Sequence, residues 1–125
     1  MTDKYELGLR KLQEVDGSAG DKVINALTNI APDLGRYIVE FAFGEIYTRA
    51  GLSLQEREMI TLASLLTLGG CEAQLEVHIN GALNVGLSPE KIIEVFIQSI
   101  PYAGFPRVLN AVTVAKKVFT ERELI

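Results

Sequence analysis

Residues 53–86 read SLQEREMITLASLLTLGGCEAQLEVHINGALNVG and contain the only histidine and the only cysteine of the chain. The first half begins with Ser53 three residues before Glu56, the spacing of a capping box, which predicts the start of a helix. Residues 59–68 are then apolar almost all round, so this helix should run through a core or an interface. Two glycines follow directly and should end the helix.

The second half of this stretch predicts a further helix. Its inward stripe at helical spacing consists of Cys71, Leu75, His78, Ala82 and Val85. His78 should therefore point inward. Cys71 lies on the same face but roughly 10 Å along the axis, too far for a direct hydrogen bond to His78. Gln74, one turn before His78, is the helix neighbour best placed to orient the imidazole.

Composition sets limits on the class of protein. The 125 residues are 48% hydrophobic and 22% charged, which predicts one domain with a core over residues 1–125. No apolar run approaches the about 20 residues of a membrane span, and the charged N-terminus does not resemble a signal peptide. We therefore expect a cytoplasmic protein without a membrane partner. A net charge of −4 without a basic stripe argues against nucleic acid as a partner.

The remaining chain also predicts helices and no strand. Amphipathic spacing predicts helices over residues 2–15 and 21–30, separated by a glycine-containing segment. The next helix should begin at Pro32. Its apolar stripe consists of Leu34, Tyr37, Ile38 and Phe41, and Glu45 continues it. A carboxylate on such a stripe needs a partner, and Arg49 or Arg57 would serve.

The last third of the chain begins with the clearest helix start in the sequence. Ser88, Pro89 and Glu90 give a cap, a proline at the first helical position and an acid in the first turn. Pro101 should end or kink that helix, and a last helix should run from Arg107 to about Thr120. Its inward residues should be Leu109, Val112, Ala115, Val118 and Phe119. The fold class should be all-α, and the nearly all-apolar helices should be covered by self-association.

Few side chains can carry chemistry. A lone histidine on an apolar face is more often a buried structural residue, but several polar groups are predicted to accompany His78. These candidates are Glu45, Arg49, Arg57 and Tyr102. An ion-pair network is the structural alternative for the arginines, and plain packing is the alternative for the tyrosine.

Cys71 is the only candidate for thiol chemistry. It lies near a helix N-terminus, where a thiol pKa can be lowered, although most single cysteines in helices behave as small hydrophobes. One cysteine cannot form an internal disulfide. No Cys/His cluster has the spacing of a zinc site, so the sequence predicts no metal.

Four runs of the sequence are similar to those of a known family. They are FAFGEIYTRAGLS, REMITLASLLTLGG, the histidine at 78 followed by GALNVGLSPEKIIEV, and YAGFP. In order and spacing they resemble the carboxymuconolactone decarboxylase family, from about Ala31 to Phe119. The resemblance implies an all-helical fold of six or seven helices related to alkylhydroperoxidase D. It also implies trimers or hexamers with active sites near subunit contacts.

The resemblance also implies a reaction. Decarboxylases of this family remove CO₂ from 4-carboxymuconolactone in the β-ketoadipate route of aromatic catabolism, without a metal or organic cofactor. By position, His78 would be the proton donor or its relay, and Glu45 would orient or reprotonate it. Arg49 and Arg57 would hold the substrate carboxylates, with Tyr102 also binding the substrate.

Two other functions remain open from the sequence. Relatives that act as peroxidases carry Cys-x-x-Cys before the histidine, whereas only the first cysteine, Cys71, is present here. A single-cysteine thiol oxidoreductase would therefore need an external thiol. The third possibility is a non-catalytic oligomeric binding protein with the same fold. Cys71 stands where decarboxylases of the family have a basic residue and Pro101 where an aliphatic is usual, which leaves the substrate open.

Overall fold

The computed structural model describes residues 3–125, and this part of the chain contains helices and no strand. The elements are α1 (Asp3–Leu27), α2 (Pro32–Tyr37), a π-helix (Ile38–Ile46), α3 (Leu54–Leu68), α4 (Glu72–Asn84), α5 (Pro89–Ala103) and α6 (Phe105–Glu121). The predicted all-α fold is confirmed. No helix within residues 3–125 has the length and apolar character needed to cross a bilayer.

The chain divides into two compact units, Met1–Leu54 and Gln55–Ile125. The expectation of one domain over residues 1–125 stays a prediction. In the first unit, α1 is bent at Gly17, whose φ of 58° and ψ of −140° break the helical path. Glycine adopts such a positive φ without steric cost, which is why the predicted boundary falls there. The predicted start of the first helix at residue 2 lies outside the described residues.

Two glycines let α1 and the π-helix approach closely. A Cβ on Gly8 would stand 1.9 Å from the carbonyl oxygen of Val39, and a Cβ on Gly44 would stand 2.7 Å from that of Lys4. Both neighbours are backbone atoms, which cannot move aside as a flexible side chain can. The absence of side chains at these two positions therefore sets the separation of the two helices.

The helix that begins at Pro32 changes its geometry after one and a half turns. The amide of Tyr47 donates to the carbonyl of Ala42 at 2.9 Å, an i to i+5 bond that is typical of a π-helix. The buried residues accordingly recur every four positions, at Gly35, Val39 and Phe43. The predicted inward stripe is wrong at Leu34, Tyr37 and Phe41, which are exposed. The segment instead turns Gly35, Val39 and Phe43 inward, on the side where it approaches α1.

Glu45 does not lie on a buried face as predicted. Its side chain is 40% exposed and pairs with Lys4 of α1, rather than with Arg49 or Arg57. The hydrogen bond and the charge of Glu45 raise the pKa of Lys4 above its usual value. The pair is solvent-screened and contributes little to stability.

The second unit has a core formed by side chains of α3, α4, α5 and α6. Its fully buried members include Leu62, Leu66, Leu75, Ile79, Ala82, Ile92, Phe96, Ala111, Ala115 and Val118. Helix α6 packs against both α4 and α5. Because each of these helices turns one apolar stripe toward a common centre, α4 is held on the inside of the unit and its buried face is defined.

The boundaries of α5 and α6 were predicted in part. The Ser88 hydroxyl caps α5 by accepting a hydrogen bond from the amide of Lys91 at 3.1 Å, as the sequence predicts. Pro101 does not end the helix, which continues to Ala103, and α6 begins at residue 105 rather than 107. Leu109 is exposed, so its predicted inward orientation is wrong, and the neighbouring Val108 is buried instead.

Gly8→Ala tests the close approach of α1 and the π-helix. Because the added methyl group would overlap a backbone oxygen, we expect the free energy of unfolding to fall by about 1–3 kcal/mol. Chemical denaturation measures it. Gly51→Ala is the matched control, since a Cβ there meets nothing within 4 Å and should leave stability unchanged or slightly raised. Equal stability of the two variants would contradict the role of Gly8.

Candidate active site

The only histidine of the chain contacts a carboxylate that lies on the preceding helix. His78 Nδ1 lies 3.1 Å from Oε2 and 3.3 Å from Oε1 of Glu58. When the carboxylate is ionised, Nδ1 carries the proton and donates to both oxygens. Proton exchange with another group would then use the second ring nitrogen, Nε2.

The two partners differ in their exposure. The Glu58 side chain is 0% exposed, whereas that of His78 is 18% exposed. A carboxylate out of contact with water needs hydrogen-bond donors, and the imidazole is one of them. The contact therefore holds the ring in one orientation while an edge of it stays within reach of a small molecule.

The position of Glu58 follows from the pattern of α3. Glu58, Leu62 and Leu66 recur every four residues and are all buried, so the acid continues the core stripe of this helix by one turn. Sequence reasoning missed Glu58 because it began the apolar run at Met59. The sequence feature that could have identified Glu58 is its spacing of four and eight residues from the core residues Leu62 and Leu66.

Polar contacts join α4 to the region of α6 both before and after His78 in the chain. Glu76 pairs with Lys117, and this hydrogen bond together with the charge of Glu76 raises the pKa of Lys117. Further along, Arg122 Nη1 donates to the side-chain oxygens of Asn80 at 3.1 Å and Asn84 at 3.2 Å. These contacts restrain the helix that carries the imidazole.

The predicted partners of His78 are placed differently from expectation. Gln74 is exposed, and the carboxylate of Glu58 takes the orienting position that was predicted for the Gln74 amide. Glu45 and the exposed Arg49 belong to the first unit. That Glu45 acts in the reaction stays a prediction. The partly inward orientation of His78 agrees with the sequence.

The other predicted binding residues of the second unit lie on separate helices. Arg57 is partly buried in the first turns of α3 and directly precedes Glu58 in the chain. Tyr102 lies near the end of α5 and is largely exposed. Their roles in binding stay predictions, because adjacent residues of a helix point in different directions and the position of Arg57 before Glu58 does not bring the two side chains together.

Cys71 lies at the start of α4 beside a small cavity of about 10 Å³, which is close to the space one water needs. Its thiol donates to the carbonyl of Gly69 at 3.5 Å. The guanidinium of Arg107 also lines this cavity and lies so close to Gly69 that a Cβ there would be 2.8 Å from Nε. The thiol thus shares its surroundings with a cation.

A buried carboxylate behind a partly exposed imidazole is an arrangement suited to proton transfer. Glu58 keeps one ring nitrogen occupied and compensates a positive charge on the ring, while the other nitrogen gives or takes a proton. Carboxylate oxygens and imidazole nitrogens are also metal-ligand types, so this pair is the part of the second unit that could hold an ion.

Known proteins share sequence similarity with most of this chain. The family model described as "Carboxymuconolactone decarboxylase family" matches residues 32–117. The chain is similar to 4-carboxymuconolactone decarboxylase of Acinetobacter baylyi, with 32% identity over 94% of this chain and 88% of the relative. It is also similar to nitrosuccinic acid decarboxylase npaB of Metarhizium robertsii, with 30% identity over 94% of this chain and 82% of that protein.

A third relative, an uncharacterized 15.0 kDa protein of Paracoccus denitrificans, is 26% identical over 80% of this chain and 75% of its own length. The family model covers well over half of the chain, and the first two relatives match along nearly all of it. The matched residues 32–117 include α3 and α4, the helices that bring Glu58 and His78 together. The chain belongs to the carboxymuconolactone decarboxylase family.

Proposed function

We propose that this protein is a decarboxylase that removes CO₂ from a small carboxylated lactone or a related acid. The observation that carries the proposal is the contact between buried Glu58 and partly exposed His78. Membership of a family with named decarboxylases supports the reaction class. The first substrate to try is 4-carboxymuconolactone.

The proposed reaction requires a proton donor and an atom that accepts the negative charge left when CO₂ departs. The bond between the substrate carbon and its carboxylate breaks, CO₂ leaves, and the electron pair enters the unsaturated lactone, where it collects on an oxygen. His78 then donates a proton from Nε2 to the ring carbon next to the carbonyl carbon, the carbonyl re-forms, and the double bond that remains at the carbon that lost CO₂ gives the enol lactone. Glu58 holds Nδ1 throughout, so the imidazole can carry the proton without turning away.

The candidate substrate-binding residues are chosen because the proposed substrate carries negative charge. An acid with one or more carboxylates needs cationic donors, and a guanidinium binds a carboxylate through two parallel hydrogen bonds. Arg57 is the candidate on α3, the helix that also carries Glu58. Arg49 and Tyr102 are further candidates for binding, and Glu45 is a second candidate for the carboxylate that acts with the histidine.

His78→Gln and Glu58→Gln test the acid–base pair. His78→Gln should lower kcat by about 10²-fold or more because the proton donor is lost. Glu58→Gln keeps the shape of the side chain but removes its charge, and it should lower kcat and shift the pH profile of the reaction. Steady-state kinetics on 4-carboxymuconolactone, with melting temperatures measured alongside, separate catalysis from stability.

Two further variants serve as comparisons for this test. Glu94→Gln removes an exposed carboxylate of α5 and should leave both kcat and the pH profile as in the parent. Glu45→Gln tests the second candidate carboxylate. A shifted profile in Glu45→Gln with none in Glu58→Gln would reassign the role to Glu45. Full activity in folded His78→Gln would refute the site.

The proposed reaction needs no cofactor, because the unsaturated lactone itself accepts the electrons. Exhaustive dialysis against EDTA should therefore leave kcat unchanged within experimental error. Activity is measured before and after dialysis, and after addition of a divalent cation. A loss that Zn²⁺ or Mn²⁺ restores would contradict a cofactor-free mechanism and would indicate that Glu58 and His78 bind metal.

A thiol oxidoreductase is the second candidate function. It is favoured by Cys71, which shares a small cavity with the guanidinium of Arg107 at the start of α4. Since the chain has one cysteine, the oxidised thiol would have to be reduced by an external thiol.

Cys71→Ser distinguishes the two functions. If the protein is a decarboxylase, this variant should retain kcat within about 2-fold, because loss of CO₂ requires no thiol. If the protein is a thiol oxidoreductase, the same variant should lose peroxide reduction measured with an external thiol. An oligomer that folds but shows neither activity would favour the non-catalytic binding protein.

We also propose that the protein self-associates as a trimer or hexamer. Large apolar side chains are exposed on helices of both units, among them Tyr37, Phe41, Ile60, Tyr102 and Phe105. Apolar surface of this extent is usually covered by another subunit. The net charge of −4 supports the expectation that nucleic acid is not a partner.

A further inference from the structure

One exposed apolar stripe in the first unit has a defined geometry. Leu34, Tyr37 and Phe41 are 51%, 56% and 59% exposed, and they follow one another along α2 and the π-helix at spacings of three and four residues. The opposite side of the same helical segment is buried. We refer to Leu34, Tyr37 and Phe41 as the Tyr37 face.

The charged residues beside the Tyr37 face form a balanced group. Arg36 lies between two acids, with Nη2 3.4 Å from Asp33 Oδ1 and Nη1 3.7 Å from Glu40 Oε1. Its guanidinium is also 5.0 Å from the centre of the Tyr37 ring. Lys4, which pairs with Glu45 and is also affected by the charge of Glu40, lies near the same flank, so the flank carries charges of both signs.

This charge pattern narrows the choice of partner. A helix that lies on an anionic membrane carries a polar side rich in lysine and arginine, and a nucleic-acid surface requires the same. The cations near the Tyr37 face are paired with acids, Arg36 with Asp33 and Glu40, and Lys4 with Glu45. A protein surface with apolar side chains and both signs of charge is the occupant that fits.

A second copy of the same face has these properties. In two antiparallel helices related by a two-fold axis, the same flank of each helix meets the other. With the axis near Tyr37, Leu34 lies opposite Phe41 of the partner subunit, and the tyrosines meet at the centre. Arg36 then lies opposite Glu40 of the partner subunit, so both the apolar and the charged residues are self-complementary.

We propose that two copies of this chain pair antiparallel through the Tyr37 face, about a two-fold axis near Tyr37. The proposal deepens the self-association proposed above and does not depend on the proposed reaction. It assigns Leu34, Tyr37 and Phe41 to the apolar centre of the interface and Arg36 to its charged flank. In a hexamer, this contact would be the one that joins two trimers.

Phe41→Glu tests the apolar centre. The variant places a charge in the middle of the contact, so the dissociation constant of the pair should rise at least about 30-fold. Size-exclusion chromatography with light scattering at 10 μM should show half the parental mass. Tyr37→Lys is the second variant, in case the first does not fold, and circular dichroism checks both.

Ile125→Glu is the control for the apolar centre. It introduces the same charge at another exposed apolar residue, near the C-terminus and outside the Tyr37 face. This variant should keep the parental mass. Parental mass in folded Phe41→Glu and Tyr37→Lys, or an equal loss in Ile125→Glu, would overturn the proposal.

A charge exchange tests the antiparallel register. The Arg36→Glu chain carries only acids at positions 36 and 40, and the Glu40→Arg chain carries only cations there. Each variant alone should show half the parental mass because the like charges face each other. A 1:1 mixture should regain the parental mass, since each acid then meets a cation of the other chain.

The outcomes separate this proposal from the proposed reaction. Lack of recovery in the mixture, or a parent that is monomeric at 100 μM, would overturn the antiparallel pair whatever the activity. Halved mass in the single variants with recovery in the mixture would support it even if the parent does not act on 4-carboxymuconolactone. Decarboxylase activity is therefore assayed on the parent alone.

Discussion

The fully buried carboxylate of Glu58 is the constraint on which the second unit depends. A charged group among the leucines of α3 is tolerated only where donors reach it, and the His78 imidazole is such a donor. The contact joins α3 to α4 and orients the imidazole. Glu58 lies in phase with Leu62 and Leu66, so one face of α3 carries both core residues and the carboxylate of the candidate site.

Helix boundaries were predictable where one side chain, or the absence of one in glycine, determines the local backbone conformation. The Ser88 cap and the positive φ at Gly17 are local effects, and both lie where the sequence places them. The π-helix was not predictable, because spacing of apolar residues was interpreted with a uniform period of 3.6. Pro101 was expected to end or kink its helix, because proline removes one hydrogen bond to the preceding turn and crowds the carbonyl four residues earlier. Helix α5 nevertheless continues to Ala103.

The candidate site was predictable in its histidine and not in its carboxylate. His78 stands on a stripe of core residues that local spacing reveals, and neighbours on the same helix are the only partners that such spacing can suggest. Gln74 was chosen for that reason. The actual partner, Glu58, comes from another helix 20 positions earlier in the chain, and its approach depends on how α3 and α4 pack. Partners across helices follow from tertiary packing, which one sequence does not display.

The wider turn of the π-helix makes the segment respond differently to a shorter and to a longer chain. Each i to i+5 bond encloses one residue more than the i to i+4 bond of an α-helix, so removing one residue between Ile38 and Ile46 would let the turn close as an ordinary α-helical turn. An extra residue ahead of Phe43 has no such compensation, because it would rotate the following residues by roughly 100° and turn Phe43 out of the interior. The segment should therefore accept the loss of one residue more readily than the gain of one.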